Sequence, residues 1–262
     1  MFFGATLRSR VGVQILLIIT SAIILTPLAA AVSTSLAGDG AGNYAQVLTL
    51  PQFYRFFLNS AFVTAVTIAL VLVIDTLAAF AFSKLDFRGR DILFGLILIG
   101  LVIPGVVLVV PIFYLIKSLG LINTYWAVIL PKTALLIPLT LLIMRNFFNG
   151  ISNELLEAGR IDGCSSLQNL RLVLLPIARP ALAVVAIITF LSTWNETFLG
   201  IIFLQKEDLQ LITQVPNYFL QLFHLQIGEI FAALLLISLP TIIAYAALRK
   251  VVETGVQAGM GK

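Results

Sequence analysis

Long apolar blocks recur along this chain, and that feature limits its possible folds more than any other. Crossing a hydrocarbon core of about 30 Å takes roughly 20 helical residues. Six stretches reach that scale: 11–33, 59–82, 92–116, 123–148, 181–204 and 228–249. Lipid offers no partner to an open backbone amide, and no alternating pattern of the barrel kind runs through the blocks, so each is expected to be a helix. The sequence therefore predicts an all-α, polytopic membrane protein with six transmembrane helices in a single domain over 1–262. With 60% hydrophobic and 11% charged residues and a mean hydropathy of +1.07, little is left for a separate soluble domain.

Charge sets the expected orientation. With the N-terminus inside, Arg8, Arg10, Lys84, Arg88, Arg90, Arg145, Arg160, Arg171, Arg179, Arg249, Lys250 and Lys262 fall on the cytoplasmic side. Only Arg55, Lys117, Lys132 and Lys206 fall on the other. Such an excess marks the cytoplasmic face, so both termini are expected inside, and the net charge of +4 reflects topology and not nucleic-acid binding. The first block follows Arg8 and Arg10 and is longer than a signal-peptide core, which favours a retained span; Ala29-Ala30-Ala31 keeps a cleavage site in view. One cysteine, Cys164, excludes an internal disulfide.

Two stretches are expected on the outer face. The first, 34–58, runs from a glycine-rich segment (37–42) to the aromatic cluster Pro51-Gln52-Phe53-Tyr54-Arg55-Phe56-Phe57, which suits a headgroup region. The second, 205–227, holds Lys206, Glu207, Asp208 and His224. Pro104, Pro111, Pro131 and Pro138 punctuate the third and fourth spans. Each removes a backbone donor, which either shapes a bending pathway or reflects the general frequency of proline in membrane helices.

The longest polar stretch, 149–180, lies inside and carries most of the information. Ser152 is a plausible N-cap, with Glu154 and Glu157 near the positive end of the helix dipole. Leu155, Ala158 and Ile161 recur at helical spacing, and Asp162-Gly163 ends the helix. Ser165 to Gln168 fits a capping box opening a second helix, and Pro176 and Pro180 mark the entry to the fifth span. Such an amphipathic helix either lies on the membrane surface or inserts into a groove on a partner protein.

This loop resembles the EAA loop of permease subunits of ATP-binding-cassette importers. Glu157, Ala158, Gly163, Leu175 and Pro176 match that pattern, and Ile161-Asp162-Gly163 is similar to its usual Ile-Asp-Gly. Gly159 stands in place of the second Ala, Cys164 where Ala is common, and Val173 at an Ile position. Leu191-Ser192-Thr193-Trp194-Asn195-Glu196 resembles the Trp-Asn stretch of sugar permeases, and the tail Glu253–Lys262 is similar to the ending of the maltose-type partner subunit. The nearest family is thus the shorter permease subunit of carbohydrate-uptake importers. The resemblance implies a bacterial or archaeal inner-membrane subunit carrying a sugar or sugar-like solute. It implies a second homologous permease, two cytoplasmic ATPase subunits and an extracytoplasmic solute-binding protein that touches 205–227. It also implies that Glu154, Leu155, Glu157, Ala158, Gly159, Ile161, Asp162 and Gly163 form the coupling helix, docked in a cleft of the ATPase.

No Gly-x-x-x-x-Gly-Lys-Ser/Thr loop occurs, since Gly259-Met260-Gly261-Lys262 lacks the hydroxyl residue and the following helix, so ATP and Mg are expected on the partner ATPases and no cofactor here. No metal-ligand cluster or nucleophile motif appears, which leaves a membrane-embedded enzyme without a catalytic centre. Asp75 is costly in lipid and is expected to face the bundle, as a pathway contact or hydrogen-bonded to a neighbouring helix. Thr193, Trp194, Asn195 and Glu196 either line a sugar pathway or pack against the second permease. Lys132 is expected to snorkel to water at the outer end of its span. An ion-coupled secondary transporter is the alternative, resting on Asp75 and Glu196 alone, and like a passive scaffold it leaves the EAA-like loop unexplained.

Overall fold

A computed structural model describes residues 7–220 and 226–260, with side chains over 11–220 and 226–246. His224 and the side chains of Arg8, Arg10, Arg249, Lys250 and the tail Glu253–Lys262 lie outside the described residues. The described residues contain no strand and run, in order, through α1 (Leu7–Ser35), α2 (Gly42–Thr49), α3 (Pro51–Lys84), α4 (Arg90–Ile99), α5 (Val109–Ser118) and α6 (Trp126–Asn149). Then come α7 (Asn153–Ile161), α8 (Ser166–Asn169), a π-helical turn (Leu170–Leu174), α9 (Leu175–Ile177), α10 (Arg179–Trp194), α11 (Phe198–Phe203), α12 (Val215–Leu220) and α13 (Ile227–Met260).

Four of these helices are long and apolar enough to cross a membrane: Val11–Ser35, Pro51–Lys84, Trp126–Asn149 and Ile227–Ala246. A fifth arises if Ser166–Ile177 and Arg179–Trp194, bent by 79°, count as one span. The expected third span, 92–116, is not one helix. It breaks after Ile99 and resumes through a 3-10 turn at Gly105–Leu108. Pro104 lacks a donor and pushes the preceding residue out of helical conformation, which accounts for the break. At Gly100 a Cβ would lie 2.8 Å from the Pro138 ring, so glycine lets the broken segment close on α6. Pro131 and Pro138 sit inside an unbroken α6, and Pro111 sits in the first turn of α5, where its missing donor costs nothing.

The expected fifth span, 181–204, also divides. It stops at Trp194 and restarts at Phe198, because Asn195, Glu196 and Thr197 offer the backbone side-chain partners in place of helical ones. Asn195 donates to the Leu191 carbonyl, and Glu196 accepts from Leu199 N–H at the start of α11. The aromatic cluster 51–57 is helical and opens α3, with Phe53 and Phe56 buried and Tyr54 exposed.

By chain contacts the molecule forms two compact units, residues 1–53 with 215–238 and residues 54–214 with 239–262. In the first, Asn43 donates to the carbonyls of Ser35 and Ala37, and a Cβ on Gly228 would collide with the Asn43 amide, so glycine permits that close approach. In the second, one core packs Val71, Ala79, Leu141, Met144, Phe148, Leu156, Leu170, Leu174, Ala178 and Val185. A separate core packs Val63, Ile116, Val128, Ile129, Leu199, Phe203 and Leu211.

The stretch 205–212 is bound tightly to the second unit. Asn59 donates to the carbonyls of Asp208 and Gln210, Ser60 accepts from Ile212 N–H, and Asn123 accepts from Gln205 and Lys206 N–H. Asn123 sits at φ +59, a left-handed conformation that asparagine tolerates better than most residues. Asn123→Ala loses both acceptor bonds and adds backbone strain, so it is expected to destabilise the protein by about 2–3 kcal/mol. A melting series in detergent checks this, and Asn123→Gly is expected to recover only the strain component.

Candidate functional site

The polar loop 149–180 forms the site that the sequence singled out. Ser152 caps α7 by accepting from Glu154 N–H at 3.2 Å. At the other end Gly163 takes φ +85, with Cys164 N–H donating to the Gly159 carbonyl and Asp162 N–H to that of Ala158. Ser165 and Gln168 make the reciprocal capping box that opens α8. Start, stop and restart thus follow the sequence reading.

The facing of α7 adds what the sequence did not reveal. Leu156 and Gly159 point inward, and Leu156, 5% exposed, is a member of the core shared with Val71, Met144 and Leu174. Glu154, Leu155, Glu157, Ala158, Arg160, Ile161 and Asp162 are exposed, Leu155 at 46% and Ile161 at 86%. The Leu155–Ala158–Ile161 stripe therefore lies bare on the outside of a helix anchored by its opposite face. Gly159 is required by that anchoring: a Cβ there would overlap Asn169, whose amide donates to the Leu156 carbonyl at 3.1 Å.

Three cations bind this end of the second unit together. Lys84, the last residue of α3, donates to the Ile151 carbonyl at 2.6 Å and to the Asn153 side chain at 2.9 Å. Arg145 donates to the Phe82 carbonyl, pairs with Asp91 at 3.0 Å and lies 3.9 Å from the centroid of the Phe94 ring. Arg90 pairs with Asp86 at 3.0 Å. The sequence placed these cations on one face of the membrane, but their partners were not legible in it.

Of the polar residues within spans, Asp75 lies apart in the core, while Lys132 and Glu196 come together. Asp75 is fully buried in the core. Thr140 of α6 lies beside it but donates its proton to the Leu136 carbonyl, so neither carboxyl oxygen has a hydrogen-bond partner. Thr193, Trp194 and Glu196 are buried, with Trp194 packed between Phe57 and Phe190, while Asn195 is exposed. Lys132 does not snorkel to water: it forms an ion pair with Glu196 at 2.5 Å, the two side chains only 12% and 10% exposed. Glu196 is within reach across the bundle, and a buried ammonium is stabilised by pairing where the core offers a carboxylate. Among the described residues no group of His, Cys, Asp and Glu could hold a metal ion.

Comparison with known proteins gives this arrangement its context. Residues 76–258, which include α6, α7 and α10, match the family described as binding-protein-dependent transport system inner membrane component. The chain belongs to this family. It is therefore a multi-pass permease component of a binding-protein-dependent transport system. It is 37% identical, over 79% of its length and 69% of the relative's, to the probable ABC transporter permease protein YurM of Bacillus subtilis. It is 30% identical, over 83% of its length and 72% of the relative's, to the diacetylchitobiose uptake system permease protein NgcG of Streptomyces coelicolor. It is 31% identical, over 83% and 79%, to the trehalose/maltose transport system permease protein MalG of Thermococcus litoralis. In fold it is similar to a chain of a bacterial ABC transporter involved in import of the acidic polysaccharide alginate, with a TM-score of 0.77 and 22% identity over 94% of this chain and 98% of that one.

Proposed function

We propose that this permease carries a sugar or sugar-like solute, together with a second homologous permease, two cytoplasmic ATPases and an extracytoplasmic solute-binding protein, in the cell inner membrane of a bacterium or archaeon. Relatives named for diacetylchitobiose, arabinooligosaccharide and trehalose/maltose transport support the carbohydrate class. A solved relative in complex with an alginate pentasaccharide-bound periplasmic protein, at 17% identity, supports the binding-protein partner. ATP and Mg belong to the partner ATPases, and this subunit holds no cofactor.

One observation carries the reading: α7 plugs Leu156 into the core while leaving Leu155, Ala158 and Ile161 bare. A helix fixed to the protein on one face and apolar on its exposed face fits a groove on a partner. Closure of the ATPases would push on α7, and the interrupted spans would switch between outward and inward openings. On this reading α4 and α5 together form the third of six spans, α10 with α11 the fifth, and both termini lie inside. Of the pathway residues, Asn195 meets the solute directly because its side chain is exposed, while Asp75, Thr193, Trp194 and Glu196 shape the wall behind it. The tip Gln205-Lys206-Glu207-Asp208, exposed throughout, meets the binding protein.

The test is a pull-down of the tagged chain from mild detergent with identification of the co-purifying chains. The native protein is expected to bring an ATPase and a second permease. Ile161→Asp, which puts a charge on the bare stripe without touching the buried face, is expected to lower ATPase recovery at least tenfold and to leave the second permease bound. Equal ATPase recovery by that variant would sink the docking role of α7.

A further inference from the structure

The second helix expected from the sequence is unlike the other long ones. α1 contains Pro27, α6 contains Pro131 and Pro138, and α13 contains Pro240. α3 runs from Pro51 to Lys84 with neither proline nor glycine after its first residue. Sharp kinks arise at proline, at glycine or serine pairs, or where the ladder is interrupted, so α3 lacks the proline kink sites that the other long helices carry.

Its two ends are fastened differently from its middle. At one end Lys84 reaches the Ile151 carbonyl and the Asn153 side chain, the residues on either side of the Ser152 cap of α7. The ammonium thus joins the end of α3 to the start of α7 directly. At the other end Asn59 reaches the carbonyls of Asp208 and Gln210, and Ser60 receives Ile212 N–H. From Asn59 to Lys84 the helix rises about 37 Å at 1.5 Å per residue, more than the thickness of a hydrocarbon core. The middle is held mostly by apolar packing through Val63, Val71 and Ala79, which resists sliding less than directed hydrogen bonds do.

Resting on the docking role of α7 given above, we propose that α3 is the rod that carries movement of α7 to the outer loop 205–212, with Lys84 and Asn59 as the positioning residues that fasten its two ends. A push on the start of α7 pulls on Lys84 and moves α3 along its axis. Asn59 and Ser60 then carry Asp208, Gln210 and Ile212 with them, displacing the exposed tip at Lys206 and Glu207. The same connection runs in reverse, so a binding protein seated on that tip would alter α7 and the ATPase beneath it, as coupling between two sites must be reciprocal.

The experiment needs no knowledge of the solute. In the full complex carrying Cys164→Ser and Lys206→Cys in this chain, the rate of labelling at position 206 by a membrane-impermeant maleimide is measured without nucleotide and after trapping with ATP, Mg and vanadate. Trapping is expected to change the rate at least fivefold. Lys84→Met and Asn59→Ala are each expected to reduce that change below twofold while vanadate-sensitive basal ATP hydrolysis stays within twofold of the parent. Lys84→Arg is expected to restore the response. Because both act on one connection, the double variant is expected to be no worse than the weaker single one. A full trapping response in Lys84→Met overturns the proposal, as does a double variant whose losses multiply. Should Lys84→Met not assemble, Asn153→Ala removes one of the two Lys84 acceptors and is expected to weaken the response in an assembled complex; no weakening there counts against the rod. Failure of the docking role would appear separately, as undiminished ATPase recovery by Ile161→Asp.

Discussion

Replacing Lys132 by methionine is expected to lower stability by ~3 kcal/mol, the low end of what breaking a buried ion pair costs. Lys132 and Glu196 lie at the junction of three elements. The Glu196 carboxylate takes the ammonium from α6 with one oxygen and Leu199 N–H with the other, while its carbonyl accepts from the Thr213 hydroxyl at 2.8 Å. Removing the lysine strands a carboxylate at the break between α10 and α11, where its side chain is only 10% exposed. The melting midpoint in detergent reads the loss, and Lys132→Met with Glu196→Gln is expected to recover most of it, because the amide oxygen still receives Leu199 N–H and no charge is stranded. A single variant that melts with the native protein would show that the ion pair contributes nothing.

A change towards the family's own pattern is expected to do harm. The usual second alanine of the EAA loop is Gly159 here, and alanine at that position would place its Cβ on top of the Asn169 side chain. Asn169 is 2% exposed and bonded to the Leu156 carbonyl, so it must rotate and give up that bond, at a cost of about 1–3 kcal/mol. The effect on transport is larger than that figure suggests, because the displaced group is the one that seats α7 on the body of the protein. Gly159→Ala is expected to lower ATP-driven uptake at least tenfold in membranes where its amount is unchanged. Adding Asn169→Ser, which clears the overlap but also lacks the amide that bonds the Leu156 carbonyl, is expected to recover only part of the loss. Native uptake by Gly159→Ala alone would place the seat of α7 elsewhere.

These two cases mark what sequence could and could not convey. Local chemistry was legible: Ser152, Gly163 and the Ser165–Gln168 box act within a few residues of themselves, and each does in space what its type and spacing predict. Facing was ambiguous, because Leu156 and Gly159 share the same helical spacing as Leu155, Ala158 and Ile161, and only the packing of the core decides which stripe is buried. Partners distant along the chain were not legible at all. Nothing near Lys132 announces Glu196, 64 residues away, and nothing near Lys84 announces Ile151. The hydropathy that marked 92–116 as a span was blind to the interruption at Pro104, since apolar residues continue through the break.

On the proposed assembly, that interruption bears on how the cell keeps its subunits in proportion. A helix end leaves amide and carbonyl groups without helical partners, and a hydrocarbon environment cannot supply substitutes. Around the break Val102 and Val106 are 80% and 70% exposed, so on the proposed six-span topology this interruption in a lone copy would open onto acyl chains. Only another protein surface or a wet cavity makes such a segment tolerable within the bilayer. On the proposed assembly, a newly inserted copy would thus be a provisional resident until the second permease covers that segment. Its abundance should follow that of the neighbour, with the lipid itself acting as the inspector of stoichiometry.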